Sequence, residues 1–130
     1  MAFHITSLYA LPLVAIWLVL WIRVSASRAK YGVSIGDGGS QQLLLNIRRH
    51  GNFIEWVPFV LLLMMLAEAG GASELWLHGA GILLLAGRLA HPFGLSATFP
   101  AHWLRYAGNG PNLLATGVLF IALLRLSVGL

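Results

Sequence analysis

The chain contains no cysteine, so it forms no disulfide, builds no thiolate metal site and carries no thiol nucleophile of its own. Any thiol chemistry at this protein has to use a sulfur brought by a ligand. Charge is also scarce. Four acids and eight Lys/Arg make up 9% of the 130 residues, against about 25% in an ordinary soluble domain. So little charge cannot cover a chain that is 58% hydrophobic, with a mean hydropathy of +0.82. A soluble enzyme and a disordered region are both excluded, and an integral membrane protein remains. The net charge of +4 does not argue for nucleic-acid binding. The bases sit beside apolar runs, where they meet lipid headgroups and set orientation.

What is present is a set of four apolar stretches, Leu8–Val24, Phe53–Ala69, Leu75–Ala90 and Leu113–Leu130, the last interrupted by Arg125. Each approaches the ~20 residues that cross a ~30 Å hydrocarbon layer. Backbone groups in lipid must bond within their own segment, so the expected fold is an all-α, four-transmembrane-helix bundle in one domain over residues 1–130. Val24-Ser25-Ala26 resembles a cleavage site, but the first stretch lacks a basic N-region and exceeds a signal-peptide core in length, so it is read as a span.

The first connection holds Arg23, Arg28, Lys30, Arg48 and Arg49, with Asp37 its only acid, and Arg88 and Arg105 flank the third. The second, Glu68 to Glu74, is acidic. The positive-inside rule then places both termini outside the cytoplasm, with Arg125 dissenting near the chain end. Gly36-Asp37-Gly38-Gly39-Ser40 is a turn, and Ser40 is a fair N-cap for a second helix starting near Gln41, ahead of its apolar core. Pro12 and Pro58 fall inside helical patterns. Asn109-Gly110-Pro111 places proline in the first turn of the fourth helix, although Pro100 allows an earlier start. Gly79, Gly81 and Gly87 are expected at close helix contacts. His4, His78, His91 and His102 show no ligand spacing, and no metal site is expected.

Arg48, Asn52 and Glu55 are spaced i, i+4, i+7 and share one helix face, beside Gly51. A carboxylate entering an apolar run costs several kcal/mol on insertion scales unless it is paired or near water. Two readings follow. Glu55 pairs with Arg48 or with Arg88 as a structural ion pair, or the three residues form a ligand site. Arginine binds a carboxylate, asparagine an amide and glutamate an ammonium, which together recognise a zwitterion.

The run Arg48-Arg49-His50-Gly51-Asn52-Phe53-Ile54-Glu55-Trp56-Val57-Pro58 resembles the Arg-x-x-x-Asn-x-x-Glu-(Tyr)-x-Pro signature of the MAPEG superfamily, membrane-associated proteins in eicosanoid and glutathione metabolism. Length, four spans and Gly87-Arg88 near the end of the third span match as well, and the nearest flavour is the small bacterial members. The resemblance implies a homotrimer in a bacterial inner membrane, with glutathione as co-substrate held between subunits and membrane lipids and a lipophilic small molecule as further partners. It places Arg48, Asn52 and Glu55 on glutathione, with Arg28 and His50 reaching it from the adjacent subunit. Arg105, aligned across a gap, resembles an arginine that stabilises the glutathione thiolate. Trp56, His91 and Leu95 stand where the eicosanoid enzymes have tyrosines. Trp56 and His91 keep some hydrogen-bonding capacity at the site, whereas Leu95 has none. The expected activity is a glutathione transferase or glutathione-dependent peroxidase acting on lipophilic electrophiles. The alternatives are a non-catalytic lipid-binding or scaffold member of the same family, and a small transporter whose polar face lines a path.

Overall fold

The computed structural model of the chain describes residues 3–95 and 103–129, with the backbone alone at 104 and 105. Four helices fill this length: α1 (His4–Tyr31), α2 (Gln41–Ala69), α3 (Glu74–Gly94) and α4 (Trp103–Ser127). They run alternately up and down. α3 packs most extensively on α4, and α1 on α2; among the described residues α1 and α4 do not touch. The protein is a four-helix bundle whose core comes from one stripe of each helix, including Leu13, Val60, Met64, Leu84 and Leu119. The other faces carry large exposed apolar side chains such as Leu11, Phe59, Ile82 and Phe120. Helices apolar all round suit a lipid solvent, and this is an integral membrane protein. α1, α2 and Tyr106–Ser127 of α4 are long and apolar enough to cross a membrane. α3 is interrupted by His78, Arg88 and His91, and its polar groups face its neighbours.

The first turn behaves as its sequence suggests. α1 stops at Gly32, whose φ of 64° closes a left-handed cap open to glycine at little cost. Asp37 Oδ1 then accepts the Gly39 N–H at 2.9 Å, and Ser40 Oγ accepts the Leu43 N–H at 3.3 Å, so α2 starts at Gln41. Of the two starts open to the fourth helix, the structure has the earlier one, which Pro100 allows. It begins at Trp103, and Pro111 lies two turns inside it. Pro111 offers no N–H to the Ala107 carbonyl one turn back; at the next position the Gly108 carbonyl accepts from Arg88 of α3 and from the Asn112 side-chain amide within α4.

Glycines mark some of the close approaches. A Cβ at Gly81 would run into the Tyr9 ring, and one at Gly87 would lie 2.6 Å from the Gly108 carbonyl. Gly79 has open space around it among the described residues of this one chain. Beside Gly81, the Tyr9 hydroxyl and His78 Nδ1 share a 2.9 Å hydrogen bond that ties α1 to α3.

Charge divides the bundle along its length. The end holding the α1 C-terminus and the α2 N-terminus carries Arg23, Arg28, Lys30, Arg48, Arg49 and, from α3, Arg88. At the opposite end Phe3 has no side-chain acceptor with which to cap α1. Glu68 from the last turn of α2 takes that role, accepting the Ile5 and Thr6 N–H groups at 2.8 and 2.9 Å and the Thr6 hydroxyl at 2.6 Å. Arg125 lies over the Trp76 ring at 6.0 Å, within the same end.

Candidate functional site

Starting α2 at Gln41 puts Arg48, Asn52 and Glu55 on one face at the basic end, over about 10 Å of helix. This face meets the end of α3 and the first turns of α4. Arg48, Asn52, Glu55, His91, Leu95 and Asn109 line one polar pocket of about 60 Å³. Three separate helices thus bring a guanidinium, a carboxylate, two amides and an imidazole together. Arg48 and Glu55 are exposed, Asn52 and Asn109 half-buried, and His91 buried.

Arg88 holds the floor of this arrangement. It is 1% exposed. One terminal nitrogen donates to Asn52 Oδ1 at 2.7 Å and to the Asn52 carbonyl at 3.4 Å. The other donates to the Gly108 carbonyl at 3.1 Å and to Asn109 Oδ1 at 3.3 Å. One guanidinium therefore fixes two amides that line the pocket and joins α2, α3 and α4. The absence of a side chain at Gly87 lets α3 come this close to α4. All of these acceptors are neutral. The ion-pair reading of Glu55 fails in its Arg88 form, since Arg88 bonds elsewhere, and no ion pair joins Glu55 to Arg48 among the described residues.

Arg28, His50 and Trp56 do not line the pocket. Arg28 donates to the Val33 and Gly36 carbonyls at 3.3 and 2.9 Å and so pins the loop that follows α1. His50 has a buried Nε2 with no hydrogen-bond partner. Trp56 packs against the core rather than lining the pocket. The Arg105 side chain lies outside the described residues, as do Pro100 and His102; its backbone is in the first turn of α4.

At the site itself the sequence offered Arg88 only as a possible partner for Glu55, and Asn109 only as a neighbour of Pro111 at the start of the fourth helix. The signal for Arg88 was present. A guanidinium within an apolar run is as costly as the Glu55 carboxylate and needs partners in the same way. Asn109 carried no comparable signal, since it becomes helical only because α4 starts upstream of it.

The model of the MAPEG family matches residues 6–125. The chain is also similar to the inner membrane protein YecN of Escherichia coli K12, at 39% identity over 90 residues, which cover 69% of each chain. The YecN of Escherichia coli O6:H1 matches to the same extent. No solved structure matches significantly.

Proposed function

The chain belongs to the MAPEG family, and from that premise we propose that it is a glutathione-binding membrane enzyme, a transferase or peroxidase for lipophilic electrophiles. The observation that carries this reading is the convergence of Arg48, Asn52, Glu55 and His91 on one polar pocket, with no ion pair cancelling Arg48 or Glu55 among the described residues. Glutathione offers carboxylates for Arg48, amides for Asn52 and Asn109, and an ammonium for Glu55.

The pocket's size bears on assembly. At about 60 Å³ it falls far below the roughly 300–1,000 Å³ of ordinary small-molecule sites. One protomer grips one end of a tripeptide, and a neighbouring subunit covers the rest, in keeping with the homotrimer that the family resemblance implies. In it, His50 with its unpartnered Nε2 and Arg28 on its loop reach the ligand of the next subunit, and Trp56 stays a packing residue. Orientation follows the same logic. The basic end faces the cytoplasm, with both termini outside, as in an inner membrane protein. A reporter fused to the C-terminus should be silent in the cytoplasm, and activity there overturns this topology.

For chemistry the glutathione thiol must ionise, and a thiol of pKa about 8.5 is mostly protonated at neutral pH. A fixed guanidinium favours the thiolate. Arg105 has that role, and the helix N-terminus it occupies adds positive potential. The thiolate then attacks an electrophile entering from the bilayer; in transfer a carbon–sulfur bond forms as the leaving group departs with its bonding pair, or as an activated double bond opens and the resulting carbanion takes a proton from water. In peroxide reduction the thiolate displaces an alkoxide, leaving a sulfenic acid that a second glutathione converts to the disulfide and water. Calorimetric titration of detergent-purified protein with glutathione tests the binding half. Wild-type protein should bind, and Glu55→Gln should bind about 1–3 kcal/mol more weakly. The ultraviolet thiolate band tests the other half, shifting to higher pH in Arg105→Ala with little change in affinity. Absence of binding sinks the reading. Binding without thiolate converts it to the non-catalytic member that Leu95 in the pocket wall already favours.

A further inference from the structure

A larger cavity, of about 440 Å³, opens between α1, α2 and α3 at the same basic end of the bundle. Its size falls within the range that holds a small organic ligand or part of a lipid. Three arginines line it, Arg23 from α1, Arg49 from α2 and Arg88 from α3, and the rest of the wall is apolar, including Val19, Leu89 and Phe93. These three apolar side chains are exposed on helix faces that meet lipid, with Phe93 at 75%.

Among the described residues the charge in this cavity is uncompensated. There, the hydrogen bonds of Arg49 and Arg88 go to neutral oxygens: the Leu95 carbonyl at 3.0 Å for Arg49, and Asn52, Gly108 and Asn109 for Arg88. Both keep a buried Nε with no partner, and Arg88 is almost wholly enclosed. Among the described residues no carboxylate pairs with any of the three. Unsatisfied donors on buried cations are costly, and the cost falls when an anion supplies oxygens.

We propose that this cavity is a binding site for an anionic phospholipid. Its phosphate sits among Arg23, Arg49 and Arg88, and an acyl chain lies along the Val19–Leu89–Phe93 wall. The guanidinium fork suits phosphate oxygens. A zwitterionic headgroup is disfavoured, because its ammonium or choline would sit beside three positive charges with no acid to receive it. A free anion would leave the apolar wall unused. This cavity opens between α1, α2 and α3, whereas the pocket around Glu55 lies on α2, α3 and α4; the two share Arg88, and the proposal stands whether or not that pocket binds glutathione.

Native mass spectrometry of delipidated protein in detergent tests this, using dioleoylphosphatidylglycerol against dioleoylphosphatidylcholine. The anionic lipid should be retained in preference. Each arginine near an anionic headgroup contributes about a five-fold effect, so Arg23→Gln with Arg49→Gln should cut the preference by about 25-fold. Ala15→Trp, which fills the groove without touching a charge, should displace the anionic lipid, and it decides the matter if the double variant loses its helicity. Inorganic phosphate at the same concentration should not compete. Equal retention of the two lipids overturns the proposal, as does wild-type retention in Ala15→Trp or one-for-one competition by phosphate. A further arm uses the absence of native cysteine: rapid disulfide cross-linking of Phe93→Cys between protomers would show a second copy covering the groove, which also overturns it.

Discussion

At the end of the bundle where α1 starts, the Glu68 carboxylate accepts three hydrogen bonds and Arg125 lies over an indole ring. At the other end Arg49 and Arg88 each retain a buried Nε without a partner, and Glu55 lines a pocket with no cation paired to it among the described residues. The same residue types are saturated in one place and left with spare capacity in the other. Saturated groups hold helices together, whereas unsaturated ones at the edge of a cavity are available to something that is not part of the chain. The contrast separates an end whose charged groups are spent on the fold from an end where some are left over.

The strongest way to break this division is at Arg88, which belongs to both categories. Arg88→Ala removes the donors that join α2 to α4 and leaves Asn52, Gly108 and Asn109 without them. It should lower stability by about 3 kcal/mol, read as thermal unfolding by circular dichroism in detergent. Arg88→Lys keeps the charge but not the fork, and should fall between. If Arg88→Ala unfolds like wild type, the guanidinium is not a structural hub and the pocket floor has been misassigned.

The same Glu→Gln change at both ends then sharpens the comparison. Glu55→Gln, whose loss of glutathione affinity is given above, should leave the unfolding midpoint nearly unchanged, within about 0.5 kcal/mol, as surface substitutions do. Glu68→Gln should do the reverse. It weakens the cap of α1 by about 1 kcal/mol while affinity for glutathione stays at the wild-type level. A swap of these two outcomes would reverse the roles assigned to the two ends.

Much of this division was legible in the sequence, and the exceptions share a cause. The start of α2 could be read because Ser40 and the Asp37 turn act locally, within a few residues. The face of Arg48, Asn52 and Glu55 followed from helical spacing alone. The start of α4 could not be read in this way. Pro111 fits the first turn of a helix by local rules, and only contacts from α3 to Gly108 show it to be interior. Likewise, Glu68 reads as one of two acids in a connection, and its role as the cap of α1 depends on a partner 62 or 63 residues away. Arg88 was visible as a costly charge, but which oxygens it meets is decided by three helices at once.

The Glu68 cap also has a bearing on how the chain enters the bilayer. During synthesis α1 emerges long before residue 68, so the Ile5 and Thr6 amides have no acceptor in the protein when the first helix crosses. They stay hydrated at the surface until the second helix has traversed and brought its carboxylate alongside. The first helix therefore acquires the cap on its N-terminus only as one arm of a completed hairpin of α1 and α2.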